Sequence, residues 1–151
     1  KETTEQLTDE LLSEDENKSH AFLILDVDCF KQINDIYGHA VGDIVLQKFG
    51  KLLKGTFREG DILGRIGGDE FGVIMKNIQT KDIAMKKAEE LLAKTQAYKI
   101  DELKGNNISI SIGISTAPQD GDCYMDLYKR ADQALYQAKR SGKARVCNYF
   151  S

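Results

Sequence analysis

Two acidic groups, Asp26-Val27-Asp28 and Asp69-Glu70, have the residue types and settings best suited to chemistry in this sequence. The first closes an uninterrupted apolar run, Ala21 to Leu25. A carboxylate at the end of such a strand carries a desolvation cost that a bound cation offsets. Two carboxylates and one backbone carbonyl, with phosphate oxygens and water completing the shell, suit magnesium at a nucleotide site. The plainer explanation is that Asp26 caps the following helix and Asp69 only serves its turn; taken singly, each group fits that explanation better. Gly67-Gly68 precedes the second group and either makes a turn or lets a substrate approach the backbone. Lys31, Lys139 and Lys143 are candidate phosphate cations, and Lys139 and Lys143, four apart, can share one side of a helix end. Asn34 and Asp43 carry the donors and acceptors needed to read a base edge. Helix capping and a solvated face explain those two equally well, and His39 fits a helix start.

Those residues need elements to hold them. Residues 3 to 16 read as a helix opened by a Thr3/Gln6 capping box, with Leu7, Leu11 and Leu12 as its stripe. Glu14 to Ser19 is a charged loop. Ala21 to Val27 reads as a central strand buried on both faces. A short helix over 29 to 36 ends near Tyr37-Gly38. A longer one follows with Val41, Ile44, Val45, Phe49, Leu52 and Leu53 inward and Gly55 as its stop. Asp61 to Ile66 and Glu70 to Met75 form a hairpin about Gly67-Gly68-Asp69. Thr80 to Tyr98 is helical, its apolar face Ile83, Ala84, Ala88, Leu91 and Leu92. Ile108, Ile110, Ile112 and Ile114 alternate with Ser or Gly, the pattern of a half-buried strand. Asp122 to Arg140 is the last helix, stopped by Gly142, and Arg145 to Phe150 the last strand. This order predicts an α/β (α+β) sandwich, a mixed or mostly antiparallel sheet with helices packed on it.

Composition narrows the functions. The 151 residues fit one domain, and 41% hydrophobic with 30% charged is ordinary for a globular chain. A formal net charge of −3 argues against binding a nucleic acid polymer but not against a nucleotide site. No apolar run is long enough to span a bilayer, and the polar start is not a signal peptide. Cys29, Cys123 and Cys147 match no metal or redox spacing and read as free thiols of a reducing compartment. Two histidines leave little support for a histidine-based zinc site or a Ser-His-Asp triad. Ser141-Gly142-Lys143-Ala144 lacks the upstream glycine and following hydroxyl of a P-loop.

Arg65-Ile66-Gly67-Gly68-Asp69-Glu70-Phe71 contains the five-residue signature of GGDEF domains, the diguanylate cyclase family. Further blocks resemble that family in the right order. Asp26-Val27-Asp28-Cys29-Phe30-Lys31-Gln32-Ile33-Asn34-Asp35, Gly38-His39 and Gly42-Asp43 resemble its D-x-D-x-F-K-x-I-N-D-x-x-G-H-x-x-G-D block. Ser109 to Ser115 is similar to its late strand, and Ala131 to Lys139 to its last helix. The likeness covers about residues 20 to 147.

The resemblance implies a palm-like nucleotidyl cyclase fold, a mostly antiparallel sheet flanked by helices plus a small hairpin. It implies that two GTP are condensed into cyclic di-GMP with release of two pyrophosphates, one GTP on each protomer of a transient homodimer. Asp26, the Val27 carbonyl and Asp69 correspond to ligands of Mg2+, with Mn2+ as the alternative. Asp69 or Glu70 corresponds to the group that helps deprotonate the ribose 3′-hydroxyl, and Lys139 to a catalytic cation that stabilises the leaving group. Asn34 and Asp43 correspond to the guanine-reading pair with His39 beside them. Phe30, Lys31, Lys139 and Lys143 correspond to the triphosphate contacts, with Gly67 and Gly68 at the substrate. Arg58 and Asp61 match an R-x-x-D product-inhibition site for cyclic di-GMP. The other reading is a silent module that binds GTP or cyclic di-GMP.

The chain departs from the family pattern twice. An L-T-x-L-x-N-R segment usual before the first helix is absent, so residues 1–151 are expected to be one domain excised from a longer cytoplasmic or membrane-bound protein with an upstream sensory domain. Lys143-Ala144 stands where Arg-Asn or Lys-Asn is common, a change expected to perturb local structure more than catalysis.

Overall fold

The computed structural model describes residues 3–14 and 17–149. Helix α1 (Thr4–Glu14) opens with the expected capping box: Thr3 N–H donates to Gln6 Oε1 at 2.8 Å and Gln6 N–H to Thr3 Oγ1 at 3.1 Å. The rest of that predicted helix, Asp15 and Glu16, lies outside the described residues. Strand β1 (His20–Val27), helices α2 (Phe30–Tyr37) and α3 (His39–Thr56), and the hairpin β2 (Ile62–Arg65) and β3 (Glu70–Met75) follow. Then come α4 (Lys81–Ala97), a 3-10 turn (Asp101–Leu103), β4 (Ile110–Ala117), α5 (Tyr124–Arg140) and β5 (Val146–Asn148). Phe150, expected to end the last strand, lies outside the described residues.

The sheet order is β2-β3-β1-β4-β5. Every pairing is antiparallel except β4 with β5. β1 is central and buried along its whole length, as its unbroken apolar run demands. Its alternate residues feed two cores. Leu23, Leu25 and Val27 pack with Val45, Phe49, Ala84, Ala88 and Leu91, under α3 and α4. Phe22 and Ile24 pack with Leu11, Tyr124, Leu127, Ala131 and Leu135, under α1 and α5. The result is three layers, helix, sheet, helix.

β4 departs from expectation. It is buried on both faces rather than one. Its isoleucines join the α3/α4 core, while Ser111, Gly113 and Ser115 face α5. A Cβ on Gly113 would stand 2.2 Å from the Ala131 carbonyl oxygen and 2.3 Å from the Leu135 nitrogen, so α5 lies directly on this row of small residues. Ser115 Oγ donates to the Leu127 carbonyl at 2.7 Å, which satisfies a hydroxyl that alternation alone would send to solvent.

Three helix readings also need correction. Gly55 does not stop α3, which runs to Thr56; Thr56 Oγ1 donates back to the Leu52 carbonyl at 2.7 Å, and Phe57 turns extended into the core. Ile83 is 38% exposed, and the buried side of α4 is Ala84, Ala88, Leu91 and Thr95. Lys143 does not share the end of α5 with Lys139: the helix stops at Arg140, and Gly142, at φ +126°, turns the chain away.

Candidate active site

Asp26 and Glu70 face each other across the β1–β3 ladder, which puts their side chains on the sheet face that α5 covers. α5 reaches both. Lys139 Nζ forms an ion pair with Asp26 Oδ2, and the Tyr128 hydroxyl donates to Glu70 Oε1 at 2.7 Å. Lys139 and Tyr128 are about three helical turns apart, hence on one side of α5. Val27 ends β1 beside Asp26, and Asp69 ends the hairpin turn next to Glu70.

Asp26 is 8% exposed, and its Oδ1 is buried with no hydrogen-bond partner. Burial first and the adjoining Asp69 second push its carboxyl from 3.8 up to about 7, against the downward pull of Lys139. A buried carboxylate oxygen left bare beside a second carboxylate is the donor set of a hard divalent cation. The expectation that Asp26 caps α2 fails: Cys29 holds the N-cap position, without a side-chain cap.

The Gly67-Gly68 turn closes with Ile66 N–H and Gly67 N–H both donating to the Glu70 carbonyl, at 2.8 and 3.2 Å. Arg65 Nε donates to the carbonyls of Gly67 (3.3 Å) and Gly68 (3.0 Å). Neither glycine is left-handed, and a Cβ on Gly68 would meet nothing within 4 Å. The turn itself therefore does not require left-handed glycine, and a side chain at Gly68 would stand in open space.

Asn34 is positioned by a close approach of α2 to α3. A Cβ at Gly42 would stand 1.9 Å from Asn34 Oδ1 and 3.2 Å from Phe30 Cζ, so Phe30 and Asn34 pack onto the first turn of α3, next to exposed Asp43. His39 is exposed at the start of α3 and Lys31 exposed on α2. Lys143 Nζ lies 3.1 Å from Cys29 Sγ, at the residue before α2.

Arg58 and Asp61 stand apart from these residues. Asp61 accepts from Arg58 N–H at 3.2 Å and from Lys76 N–H at 3.1 Å, and Arg58 also donates to the Lys76 carbonyl. Lys76 follows the end of β3 opposite Glu70, so the pair sits at the far end of the hairpin from Asp69.

Three participants escaped the sequence reading. Tyr128 lacked a signal, because its partner is 58 residues away in the chain. Asp28 read as part of the metal group, yet it accepts from Ser109 Oγ (2.6 Å), Ser111 Oγ (2.7 Å) and Ala144 N–H (3.1 Å). The strict Ser-Ile alternation opposite β1 was the available clue. Cys29, read only as a free thiol, is exposed and left-handed at φ +56° against Lys143.

A five-stranded, mostly antiparallel sheet with helices on both faces, carrying acids where its central strand meets a hairpin, is the arrangement of a nucleotidyl cyclase palm. The chain belongs to the GGDEF family: the profile described as "Diguanylate cyclase, GGDEF domain" matches residues 1–145. It is 38% identical over 135 residues to diguanylate cyclase A of Treponema denticola, covering 89% of this chain and 36% of that protein. The solved GGDEF domain of TpbB from Pseudomonas aeruginosa superposes with a TM-score of 0.92 at 32% identity, covering 97% of this chain and 93% of that one. The GGDEF domain of DgcB from Caulobacter crescentus, solved in complex with c-di-GMP, gives a TM-score of 0.85 at 26% identity, covering 94% and 85%. The chain thus spans about a third of the length of that curated relative. Among the described residues, no helix is long and apolar enough to cross a membrane.

Proposed function

We propose that this domain is a diguanylate cyclase that joins two GTP into cyclic di-GMP and releases two pyrophosphates. The observation that carries the reading is the bare, buried Asp26 Oδ1 beside Asp69, a site with a ligand position to fill. Asp26, the Val27 carbonyl and Asp69 would hold a divalent cation, Mg2+ by donor type, with Mn2+ compatible. When bound, that ion lowers the pKa of the ribose 3′-hydroxyl and neutralises charge on the α-phosphate.

The chain's own groups supply the rest. Glu70, or Asp69, accepts the proton of the 3′-hydroxyl. The freed oxygen attacks the α-phosphorus of the second GTP, and the bond to the β-phosphate breaks as pyrophosphate leaves. Lys139 and Lys143 balance the charge gathered on the leaving group, with Lys31 and Phe30 at the triphosphate. Asn34 and Asp43 read the guanine edge, His39 stands beside them, and Gly67-Gly68 leaves room for the nucleotide. Each protomer supplies one GTP, so ring closure needs a two-fold encounter of two copies, formed transiently. Arg58 and Asp61 form the regulatory product site in this reading. The domain is one unit of a larger protein whose sensory part governs that encounter.

The test is GTP turnover by the purified chain at high concentration with Mg2+, products identified by mass spectrometry. Cyclic di-GMP from the wild type and none from Asp69→Ala is the expected result. No product even when dimerisation is enforced would overturn the reading and favour a nucleotide-binding module.

A further inference from the structure

The second acid of Asp26-Val27-Asp28 has a place that the proposed chemistry leaves unused. Asp28 is 7% exposed, and three donors converge on its carboxylate. Ser111 Oγ reaches Oδ1, while Ser109 Oγ and Ala144 N–H reach Oδ2. The two serines belong to β4 and the residue leading into it, neighbours of β1 in the sheet. The third donor belongs to the segment that leaves α5. Asp28 therefore ties the end of the central strand to the loop that carries Lys143.

That loop is otherwise held in a costly shape. Lys143 and Ala144 are both left-handed, at φ +64° and +51°. Side chains with a Cβ are disfavoured in that region. Two backbone bonds brace its ends: Lys143 N–H donates to the Ala138 carbonyl at 3.0 Å, and Ile112 N–H to the Arg145 carbonyl at 2.9 Å. At the centre the brace is the charged Asp28 oxygen on Ala144 N–H, and hydrogen bonds to an ionised acceptor are roughly twice as strong as neutral ones. With the loop so held, Lys143 Nζ lies 3.1 Å from the Sγ of Cys29, the residue that follows Asp28 and precedes α2.

We propose that Asp28 is a positioning residue: fastened by Ser109 and Ser111, its carboxylate grips the backbone at Ala144 and so sets the Lys143 ammonium where it meets the triphosphate of GTP. The proposal rests on the reading of this site as a GTP site. It assigns the two acids of the motif different work, Asp26 for the cation and Asp28 for a lysine on the loop after α5.

A double-mutant cycle with Asp28→Ala and Lys143→Ala, reading the affinity of a non-hydrolysable GTP analogue in Mg2+, tests it. Each single variant is expected to weaken binding about tenfold, and the pair together little more than either alone, because both remove one interaction. Hydrogen exchange at the Ala144 amide is expected to accelerate in Asp28→Ala and to stay slow in Lys143→Ala. Should Asp28→Ala fail to fold, Asp28→Asn keeps the shape, removes one acceptor, and is expected to give the same non-additivity at smaller amplitude. Losses that multiply, to about a hundredfold in the double variant, would overturn the positioning role. Unchanged binding in Asp28→Ala by a chain whose wild type binds the analogue would overturn it as well. A wild type that binds no analogue would overturn the GTP-site reading, and this inference with it.

Discussion

The Tyr128 hydroxyl donates to Glu70 Oε1 at 2.7 Å, linking the last helix to the fourth residue of the Gly67 to Phe71 signature. The ring is itself fixed, at 6.3 Å from Phe22 and 5.9 Å from Tyr124 between centroids. Burial and the Glu70 charge push its phenol up, so it stays a proton donor throughout the working pH range. Tyr128→Phe removes one oxygen and keeps the packing. If Glu70 takes the ribose proton, kcat is expected to fall on the order of tenfold with KM for GTP unchanged. Steady-state production of cyclic di-GMP reads both constants, and a thermal melt checks the fold. A lower melting temperature with unchanged kcat would make Tyr128 merely structural.

Asp26 makes metal-free stability depend on pH. Burial, with Asp69 beside it, pushes the folded carboxyl up to about 7 from an ordinary 3.8. Between those values the folded state keeps a proton that the unfolded chain has shed, so this group's contribution declines as pH rises from about 4 to about 7. A divalent cation needs the ionised form. In thermal melts, Mg2+ is therefore expected to raise the melting temperature over a chelated sample more at about pH 8 than at about pH 5. Asp26→Asn should abolish the difference. An equal Mg2+ effect at both pH values in the wild type would contradict the assignment.

Arg58 and Asp61 should separate binding from stability. The Asp61 side chain is 2% exposed and accepts two backbone N–H groups, whereas that of Arg58 is 57% exposed. Asp61→Ala leaves those donors unpaired and is expected to cost about 1–3 kcal/mol of unfolding free energy. Arg58→Ala should change stability by no more than about 0.5 kcal/mol. If the pair is a product site, Arg58→Ala should nonetheless weaken cyclic di-GMP binding, read by titration calorimetry.

Ala144 at φ +51° asks for a residue that tolerates the left-handed region. Ala144→Asn is expected to stabilise the domain by about 0.5–1 kcal/mol, since asparagine visits that region more readily than alanine. Chemical denaturation checks it, and a loss of stability would show that the side chain meets an obstacle.

Much of this architecture was legible in order along the chain. The run Ala21 to Leu25 announced a strand covered twice, and the face of Val41, Val45, Phe49 and Leu52 announced the inward side of α3, although Val41 and Leu52 are only half-buried and Leu46 and Leu53 lie deeper. The acids, the lysines and the glycine pair were visible by type. What escaped was set by contacts between distant segments. Ser111 and Ser115 looked like a solvent face, because their partners, Asp28 and the Leu127 carbonyl, come from β1 and α5. Four-residue spacing suggested that Lys139 and Lys143 lie together, but it says nothing of a helix that stops between them. Of the lysines only Lys139 lands against Asp26, a pairing across 113 residues that no local pattern encodes.

Gly113 ties the two halves of the acid site to a single clearance. Lys139 and Tyr128 meet Asp26 and Glu70 from an α5 that rests against bare backbone at this position of β4. The fulcrum lies beneath Ala131 and Leu135, between the two contacts along the helix. A methyl group there would act as a wedge, lifting or tilting the helix, and would loosen the cation from one acid and the phenol from the other in a single displacement. The smallest residue in the strand thus sets the gap that Lys139 and Tyr128 must span to reach the two acids.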